Sequence, residues 1–430
     1  MWAAPTCCSG YAARMADVTI DDIRAARGTF GASVRRTPLL ASNTLSTLMS
    51  ADVRLKAENL QHTGSFKIRG ASNRIAALSE AERQRGVIAA SAGNHAQGVA
   101  VAAKSRGVRA TIVMPATAPL AKVEATRDYG ADVVLHGESY DAAHAEAKRI
   151  AAERSLVIIP AFDDPLIVAG QGTVGLEIAE DLPDVDVVIV PVGGGGLAAG
   201  IGVAIRAMAP RARVIGVQAE AAPGVKRSLE AGHCVSVACA PTIADGIAVS
   251  GPGEVTFPLL QRVLDDVVMV DEDEIAQAMV LLLERSKLVA EGAGAAGVAA
   301  LMSHKIDVAG KRVAVVISGG NVDVNMLARV VEHGLMQAGR YFSLTVGLDD
   351  KPGQLALLAT LFSECGANVL SVAHHRFGID LPVGRVQVVL LLEVRNRAHA
   401  DEVAAALERA GFVRRGEGAP EFVPKVWLEE

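Results

Sequence analysis

The chain of 430 residues lacks several features that would place it in other classes of protein. It has no uninterrupted apolar stretch of the roughly 20 residues that cross a bilayer, so we expect no membrane contact. Its net charge of −6 is spread along the chain without a basic block, which argues against nucleic acid as a partner. Aromatic residues make up only 3% of the chain, whereas 50% of the residues are hydrophobic. This composition is typical of α/β proteins in which helices pack on a parallel sheet.

Cysteine is scarce as well. The five cysteines, Cys7, Cys8, Cys234, Cys239 and Cys365, form no repeating framework, and their number is odd. We therefore expect free thiols in a reducing cytoplasm rather than a fold stabilised by disulfides. Cys234 and Cys239 have no second pair of ligands at metal-site spacing, so we predict no zinc and no other metal site.

Alternating strand and helix patterns organise most of the chain. Residues 1–17 are predicted to be a disordered tail without the features of a secretory signal, and Met15 is an alternative initiator. Short apolar runs then alternate with Ala-rich helical segments over residues 18–333, which indicates right-handed crossovers and a parallel sheet. The predicted strands of this first domain are Gly86–Ala90, Ala110–Met114, Asp132–Leu135, Val157–Ile159, Val185–Val192, Arg213–Gln218 and Arg312–Ser318.

A different pattern begins after a predicted linker at residues 334–341. The second domain, residues 342–430, has the order β-α-β-β-α-β, which is that of a ferredoxin-like α+β unit. Its predicted elements are the strand Phe342–Leu348, the helix Gly353–Cys365, the strands Asn368–His375 and Arg385–Val394, the helix Ala398–Ala410 and the strand Phe422–Leu428.

The motif Ser65-Phe66-Lys67-Ile68-Arg69-Gly70 places a lysine between two glycines, Gly64 and Gly70. Lysine is the side chain that can hold an aldehyde cofactor as an imine. Most lysines are solvated surface charges, so this motif alone favours the plainer interpretation.

A run of glycines, Gly193-Gly194-Gly195-Gly196-Leu197, follows the most apolar predicted strand and precedes a helix. Such a loop brings backbone N–H groups to an anion, and the helix N-terminus adds partial positive charge. The loop lacks the Gly-Lys-Ser/Thr ending of a nucleotide P-loop and the G-x-G-x-x-G spacing of dinucleotide sites, so a compact phosphate is the expected ligand. Close packing alone is the alternative explanation for the glycines.

Two further motifs stand at the ends of predicted strands. Ser91-Ala92-Gly93-Asn94-His95-Ala96-Gln97-Gly98 begins a helix whose N–H groups can bind a carboxylate, and Asn94 can bond a ring oxygen of a cofactor. Ser318-Gly319-Gly320-Asn321 ends a strand, where parallel sheets bind their ligands. Taken singly, a helix cap explains the first motif and a turn explains the second. His95 is expected to support the site rather than to act as a general base.

In this order the four motifs resemble those of fold-type II pyridoxal-phosphate enzymes. The chain is most similar to the threonine dehydratases (threonine ammonia-lyases) that carry one C-terminal ACT domain. Thr242–Val249 and Glu291–Ala295 also resemble segments of that family. The resemblance implies two parallel-sheet α/β subdomains over residues 18–333, an ACT domain over residues 342–430, and pyridoxal 5'-phosphate as cofactor.

The resemblance also implies a role for each motif. Lys67 would form the internal imine and move the α-proton of the substrate, Asn94 would contact the ring hydroxyl, and Ser318 would face the pyridine nitrogen. The phosphate would be bound by backbone N–H groups of Gly193, Gly194, Gly195, Gly196 and Leu197. The carboxylate of a small amino-acid substrate would be bound by Ser91, Ala92, Gly93 and His95.

The implied reaction is β-elimination of L-threonine or L-serine to 2-oxobutanoate or pyruvate and ammonia, as the first step toward isoleucine. Serine racemases share most motifs, but they use an acid/base serine at the position of Ala92 and bind a divalent ion where this chain has Gln218 and Gly224. Ile68 departs from the aspartate of threonine and cysteine synthases. Another fold-type II lyase and a catalytically decayed amino-acid sensor are the remaining alternatives, and the intact Lys67 argues against the sensor.

The turn Lys351-Pro352-Gly353-Gln354-Leu355 resembles the ligand-side turn of ACT domains. The resemblance implies that isoleucine or valine binds as an effector where two such domains meet. A dimerisation module without a ligand is the alternative, because domains of this fold can pair through their sheet edges. We expect a homodimer or a homotetramer.

Overall fold

The structure, a computed structural model, describes residues 17–376 and 383–414. The predicted strand Phe422–Leu428 and the predicted tail up to residue 16 lie outside the described residues. The chain divides into two compact units, Met1–Asp323 and Val324–Glu430. Among the described helices, none combines the length and the apolar character that a membrane span requires.

The bounds of the elements are as follows. The strands are β1 Leu39–Ala41, β2 Asp52–Ala57, β3 Val87–Ala90, β4 Ala110–Met114, β5 Asp132–Leu135, β6 Val157–Ile158, β7 Val187–Pro191, β8 Arg213–Ala219, β9 Asp266–Val270, β10 Arg312–Ile317, β11 Tyr341–Asp349, β12 Asn368–His375, β13 Arg385–Glu393 and β14 Val413–Arg414. The α-helices are Ile20–Gly28, Asn43–Met49, Lys67–Ala76, Glu80–Arg85, Asn94–Lys104, Leu120–Asp128, Tyr140–Arg154, Pro165–Asp181, Gly196–Met208, Gly224–Ala231, Thr256–Val263, Glu272–Leu281, Gly292–Met302, Val324–Gln337, Gln354–Cys365 and Arg397–Arg409.

The first unit contains two sheets. A six-stranded sheet has the order β1-β2-β10-β7-β8-β9, and only β1 runs antiparallel to its neighbour. A four-stranded sheet has the order β5-β4-β3-β6 and is parallel throughout. The prediction of an α/β fold with two parallel-sheet subdomains is confirmed, and the seven predicted strands form within two residues of their expected ends.

Three strands of the larger sheet were not predicted: β1, β2 and β9. In β2 the charged residues Asp52, Arg54 and Lys56 alternate with apolar ones, which is the pattern of a strand at a surface. Lys56 is nevertheless fully buried, because a carboxylate from a distant helix neutralises its charge. No local pattern in the sequence reports such a partner.

Two closely packed helices hold the end of the glycine loop in place. Helix Pro165–Asp181 packs against helix Gly196–Met208, and most residues of both helices are buried. A Cβ atom on Gly200 would overlap the carbonyl oxygen of Val168, so this close approach requires glycine at residue 200. Because the second helix begins at Gly196, the packing of the helix pair also holds the end of the loop that precedes it.

The second unit begins with helix Val324–Gln337, which covers the first residues of the segment 334–341 that we predicted as a linker. An antiparallel sheet follows, with the order β12-β13-β11-β14. The helices Gln354–Cys365 and Arg397–Arg409 lie within two residues of their predicted bounds. The described elements have the order β-α-β-β-α-β with β14 as the last strand, which was not predicted. Apolar residues of β11 and β13 form its core, where Leu344 is paired with Leu390.

Four buried ionised side chains hold the start of helix Lys67–Ala76. We call Lys56, Glu58, Arg69 and Glu177 the buried quartet; each is at most 5% exposed. Arg69 donates to Glu58 from Nε and Nη2 at 2.8 Å and to Glu177 from Nη1 at 2.7 Å, and Lys56 donates to Glu177 at 2.6 Å. Burial alone would raise the pKa of Glu58, but the Arg69 guanidinium outweighs it and keeps that pKa below its ordinary value. Two cations thus balance two anions at a site buried from solvent.

Replacing Arg69 by Met should destabilise the first unit strongly. The change leaves two buried carboxylates with only Lys56 to balance them, and breaking a buried ion pair costs about 3 to 5 kcal/mol. Urea titrations followed by circular dichroism measure the effect on the free energy of unfolding. Arg149→Met, which removes an exposed pair with Glu146, is the control and should change it little. Equal stability of both variants would contradict a structural role for the quartet.

Candidate active site

Four helices begin around one cavity of about 760 Å³ in the first unit. Their first residues are Lys67, Asn94, Gly196 and Gly292, and residues of each first turn line the cavity. A helix N-terminus carries partial positive charge and N–H groups without partners in the helix. The cavity is therefore suited to a ligand with several negative charges.

The cavity brings together every site residue predicted from the four motifs. Their roles remain predictions, but their placement in one cavity is a property of the structure. The predicted residues that line it are Lys67, Ser91, Ala92, Gly93, Asn94, His95, Gly193, Gly194, Gly195, Gly196, Leu197 and Ser318.

Lys67 is the first residue of its helix, and its Nζ donates to the carbonyl oxygen of Ala161 at 2.9 Å. Burial lowers the pKa of Lys67 to about 8, although the carboxyl of Glu291 opposes this shift. The helix N-terminus also disfavours a positive charge at this position. With that pKa, roughly a quarter of the Lys67 amines are neutral at pH 7.5, so the amine can act as a nucleophile or a base.

The glycine loop joins β7 to helix Gly196–Met208. Gly195 has φ +95°, in the left-handed region that glycine adopts without strain. A side chain at Gly194 would overlap the ring of Phe162. The residue before the helix, Gly195, provides no side-chain cap, so N–H groups of the first turn are left for an anion in the cavity.

The amide of Asn94 is oriented by two neighbours. Its Nδ2 donates to Glu291 Oε1 at 2.7 Å, and its Oδ1 accepts from Asn321 Nδ2 at 2.7 Å. Because these two bonds assign the oxygen and nitrogen of the amide, Asn94 presents its second N–H as a donor to a ligand. Sequence reasoning placed Asn94 at the site but missed the role of Asn321, the last residue of the fourth motif.

Glu291 is a buried carboxyl group at the cavity, 5% exposed, immediately before helix Gly292–Met302. Burial and the charge of Asp245 raise its pKa to about 7, while the hydrogen bond from Asn94 and the charges of Lys122 and Lys67 oppose the shift. Sequence reasoning assigned no function to Glu291. The sequence offered two signals: the position of Glu291 before a helix of glycine and alanine, and its place in the segment Glu291–Ala295 that resembles the threonine dehydratases.

His95 and Ser318 are two further buried residues that line the cavity. His95 is 4% exposed, and its Nε2 bonds the carbonyl oxygen of Ile159 at 2.9 Å. Burial and the charge of Lys67 lower the pKa of His95 to about 3, so its ring is neutral at physiological pH and supports the site. Ser318 is also buried, and its carbonyl oxygen accepts from the N–H of Phe66 at 3.1 Å, which ties the end of β10 to the lysine motif.

Replacing Glu291 by Gln should stabilise the cofactor-free protein at alkaline pH. The pKa of Glu291 is higher in the folded chain than its ordinary value. The contribution of this carboxyl group to the free energy of unfolding therefore falls as the pH rises from 4.5 through 7. The variant lacks this loss and should be more stable by roughly 3 kcal/mol at pH 8, with little difference at pH 4.5. Urea titrations at both pH values measure it, with the exposed Glu80→Gln as control. A difference independent of pH would refute the buried charge at Glu291.

The chain matches known proteins over the part that contains these residues. A model of the family "Pyridoxal-phosphate dependent enzyme" matches residues 32–319. The L-threonine ammonia-lyase of Thermotoga maritima is 51% identical over 395 residues, which are 92% of this chain and 98% of that protein. The catabolic L-threonine dehydratase TdcB of Escherichia coli K12 is 46% identical over 315 residues, or 73% of this chain and 96% of that protein.

A solved structure agrees with the family match. The structure of maize serine racemase superimposes with a TM-score of 0.70 at 35% identity and covers 74% of this chain and 98% of that chain. The matched residues 32–319 contain Lys67, Asn94, the glycine loop and Ser318. The chain therefore belongs to the pyridoxal-phosphate dependent enzymes and, within them, to the group that contains the threonine ammonia-lyases.

Proposed function

We propose that the protein deaminates L-threonine to 2-oxobutanoate and ammonia, and also acts on L-serine to form pyruvate. One observation carries the proposal: the Lys67 amine, with its lowered pKa, lies in the same cavity as the phosphate-binding type of loop at Gly193–Leu197. The identity of 51% to a protein named L-threonine ammonia-lyase supports threonine as the main substrate.

The residues of the cavity fit pyridoxal 5'-phosphate. Lys67 would carry the aldehyde, the N–H groups at the start of helix Gly196–Met208 would bind the phosphate, and the free N–H of Asn94 would donate to the ring oxygen. Ser318 would face the ring nitrogen with a neutral hydroxyl. When bound, the cofactor supplies an electron-withdrawing ring that stabilises negative charge at the substrate α-carbon.

Lys67 is the residue that we assign to the α-proton. In its neutral form the amine accepts this proton, and its pKa of about 8 makes that form accessible near neutral pH. His95 does not share the task, because with a pKa of about 3 its ring is too weak a base, and its Nε2 already bonds the carbonyl oxygen of Ile159. Ala92 has no group that exchanges a proton. A single proton-moving lysine suits elimination of the β-hydroxyl better than inversion at the α-carbon.

The start of helix Asn94–Lys104 is the proposed site of the substrate carboxylate. The segment Ser91–Asn94 lines the cavity, and the Ser91 hydroxyl accepts from the N–H of Gly93 at 3.2 Å, which holds the turn. Backbone N–H groups at this helix end would bind the carboxylate and orient the α-proton toward Lys67.

The overall reaction consumes no net water. The water lost with the β-hydroxyl is regained when the released unsaturated amine hydrolyses to the oxo acid and ammonia.

Serine racemisation is the second candidate, favoured by the similarity to maize serine racemase. The segment around Gln218 supports the lyase instead. Gln218 is fully buried; its Nε2 donates to the carbonyl oxygen of Ala222 at 3.0 Å, and its Oε1 accepts from the N–H of Lys226 at 2.8 Å. The position thus carries a neutral amide engaged within the protein, where a divalent ion would need a carboxylate.

The second unit supports a proposal of regulation. Its four-stranded antiparallel sheet has the element order of an ACT-like domain, which we assign to residues 342–430, with the catalytic domain over residues 18–333. We propose that isoleucine or valine binds there and that the 2-oxobutanoate serves isoleucine synthesis. The relative TdcB is named a catabolic enzyme, which favours a catabolic role for this protein. Inhibition of the protein by isoleucine would favour the biosynthetic role.

The outer edge of this sheet is the proposed interface between two copies of the chain. Strand β12 pairs with β13 alone among the described strands, so its other edge presents unpaired backbone groups. Its apolar residues Val369, Leu370 and Val372 are 36%, 42% and 47% exposed. Pairing with a second β12 would cover these side chains and give a homodimer.

Replacing Lys67 by Ala should remove the visible absorption of the bound cofactor and reduce 2-oxobutanoate production about a thousandfold or more. The reason is that the variant has neither the covalent attachment point nor the base. Lys104→Ala, at the exposed end of helix Asn94–Lys104, is the control and should keep both properties. A colourless and inactive wild-type protein would rule out the proposed enzyme, and D-serine formed from L-serine would favour the racemase.

Replacing Val372 by Lys should dissociate the dimer and abolish the binding of isoleucine, because like charges would face each other across the paired edges. Analytical ultracentrifugation and isothermal titration calorimetry on the full chain measure the two effects. The variant Lys351→Ala distinguishes the two effects, because it changes the turn but not the edge of β12. This variant should remain a dimer. Heat from isoleucine with a monomeric variant would contradict an effector site at the interface.

A further inference from the structure

The segment Ala161-Phe162-Asp163 contacts both halves of the proposed cofactor site, although no motif contains it. We propose that this segment and Thr256 position the glycine loop relative to Lys67 and aim its N–H groups at the phosphate. The inference rests on the proposed function, in which the glycine loop holds the cofactor phosphate.

The first contact is to the lysine. The carbonyl oxygen of Ala161 accepts from Lys67 Nζ at 2.9 Å. This bond orients the amine within the cavity from a backbone atom, which no substitution at residue 161 removes. The next residues along the chain, Phe162 and Asp163, extend from this contact toward the glycine loop.

Phe162 supplies the second contact. Its ring occupies the space that a side chain at Gly194 would need, and its carbonyl oxygen lies 3.0 Å from the position of a Cβ atom on Gly196. The loop therefore fits against Phe162 because residues 194 and 196 have no side chains. The distance between Lys67 and the loop is thus spanned by two consecutive residues of one segment.

Asp163 supplies the third contact, to helix Thr256–Val263. Its Oδ1 accepts from the N–H groups of Val255 and Thr256 at 2.9 and 3.1 Å, and its Oδ2 accepts from the N–H of Glu254 at 3.0 Å. The residue that precedes the helix, Val255, has no side-chain oxygen to cap it. Asp163 therefore caps this helix from about ninety positions away in the chain and fixes the location of Thr256.

Thr256 completes the connection. Its hydroxyl, 0% exposed, donates to the carbonyl oxygen of Gly194 at 2.7 Å and accepts from the N–H of Gly253 at 2.9 Å. In a trans peptide the carbonyl and the following N–H point in opposite directions. Because Thr256 holds the Gly194 carbonyl on its own side, the N–H of Gly195 is turned away from Thr256. Gly195 lines the cavity, and the proposal assigns this N–H to the phosphate.

Replacing Thr256 by Val tests the inference, because the change keeps the shape and removes the hydroxyl. The variant should bind pyridoxal 5'-phosphate about fivefold to tenfold more weakly, the effect of one buried hydrogen bond. Its affinity for pyridoxal, which lacks the phosphate, should be unchanged. Spectroscopic titration of the cofactor-free full chain measures both affinities. At saturating cofactor, the kcat of Thr256→Val should stay within about twofold of wild type. The variant Thr256→Ser keeps a hydroxyl and should bind pyridoxal 5'-phosphate as tightly as wild type.

A second variant and a control separate positioning from general destabilisation. Asp163→Ala should show the same selective loss, since it releases the helix that carries Thr256. Ser42→Ala removes a buried hydroxyl that accepts from the N–H of Leu45, in a helix whose residues do not line the cavity, and should leave both affinities unchanged. Equal losses for both ligands, or no loss in Thr256→Val, would overturn the inference alone. A wild-type chain that binds pyridoxal 5'-phosphate no better than pyridoxal would overturn the proposed phosphate site as well.

Discussion

The parallel direction of the strands is the constraint on which the active site depends. When strands run in the same direction, their carboxyl ends lie at one edge of the sheet, and the helices that follow them begin there. In this chain the helices at Lys67, Asn94 and Gly196 are the first α-helices after the parallel strands β2, β3 and β7, and the helix at Gly292 precedes β10; all four begin around one cavity. The backbone itself thus supplies the positive potential that a phosphate and a carboxylate require, before any side chain contributes.

A charge-neutral group of buried side chains anchors the helix that begins at Lys67. Arg69, two residues after Lys67, is held by Glu58 and Glu177 inside the protein, and Lys56 makes the group neutral. The start of the helix is therefore anchored by bonds that solvent does not reach. Lys67 donates to the carbonyl oxygen of Ala161, and its burial lowers its pKa to about 8.

Charged and polar residues of the cavity also influence one another. Glu291 orients the amide of Asn94 and opposes the fall in the pKa of Lys67, while Lys67 opposes the rise in the pKa of Glu291. Together with the segment that follows β6, this arrangement connects each predicted motif to at least one residue outside the motifs. In the proposed function the motifs supply the groups that bind the ligand, and residues between the motifs orient these groups.

The sequence by itself determined the α/β class, seven of the ten strands described in the first unit, the four motifs and the identities of twelve residues that line the cavity, because these depend on local periodicity and on short spacings. It did not indicate β2, the buried quartet, Glu291 or the contacts of Asp163. Each of these depends on a partner far along the chain: Lys56 meets Glu177 across 121 positions, and Asn94 meets Glu291 across 197. Only the tertiary structure decides such pairs, because burial makes a charge or an amide depend on the partner that the fold brings to it.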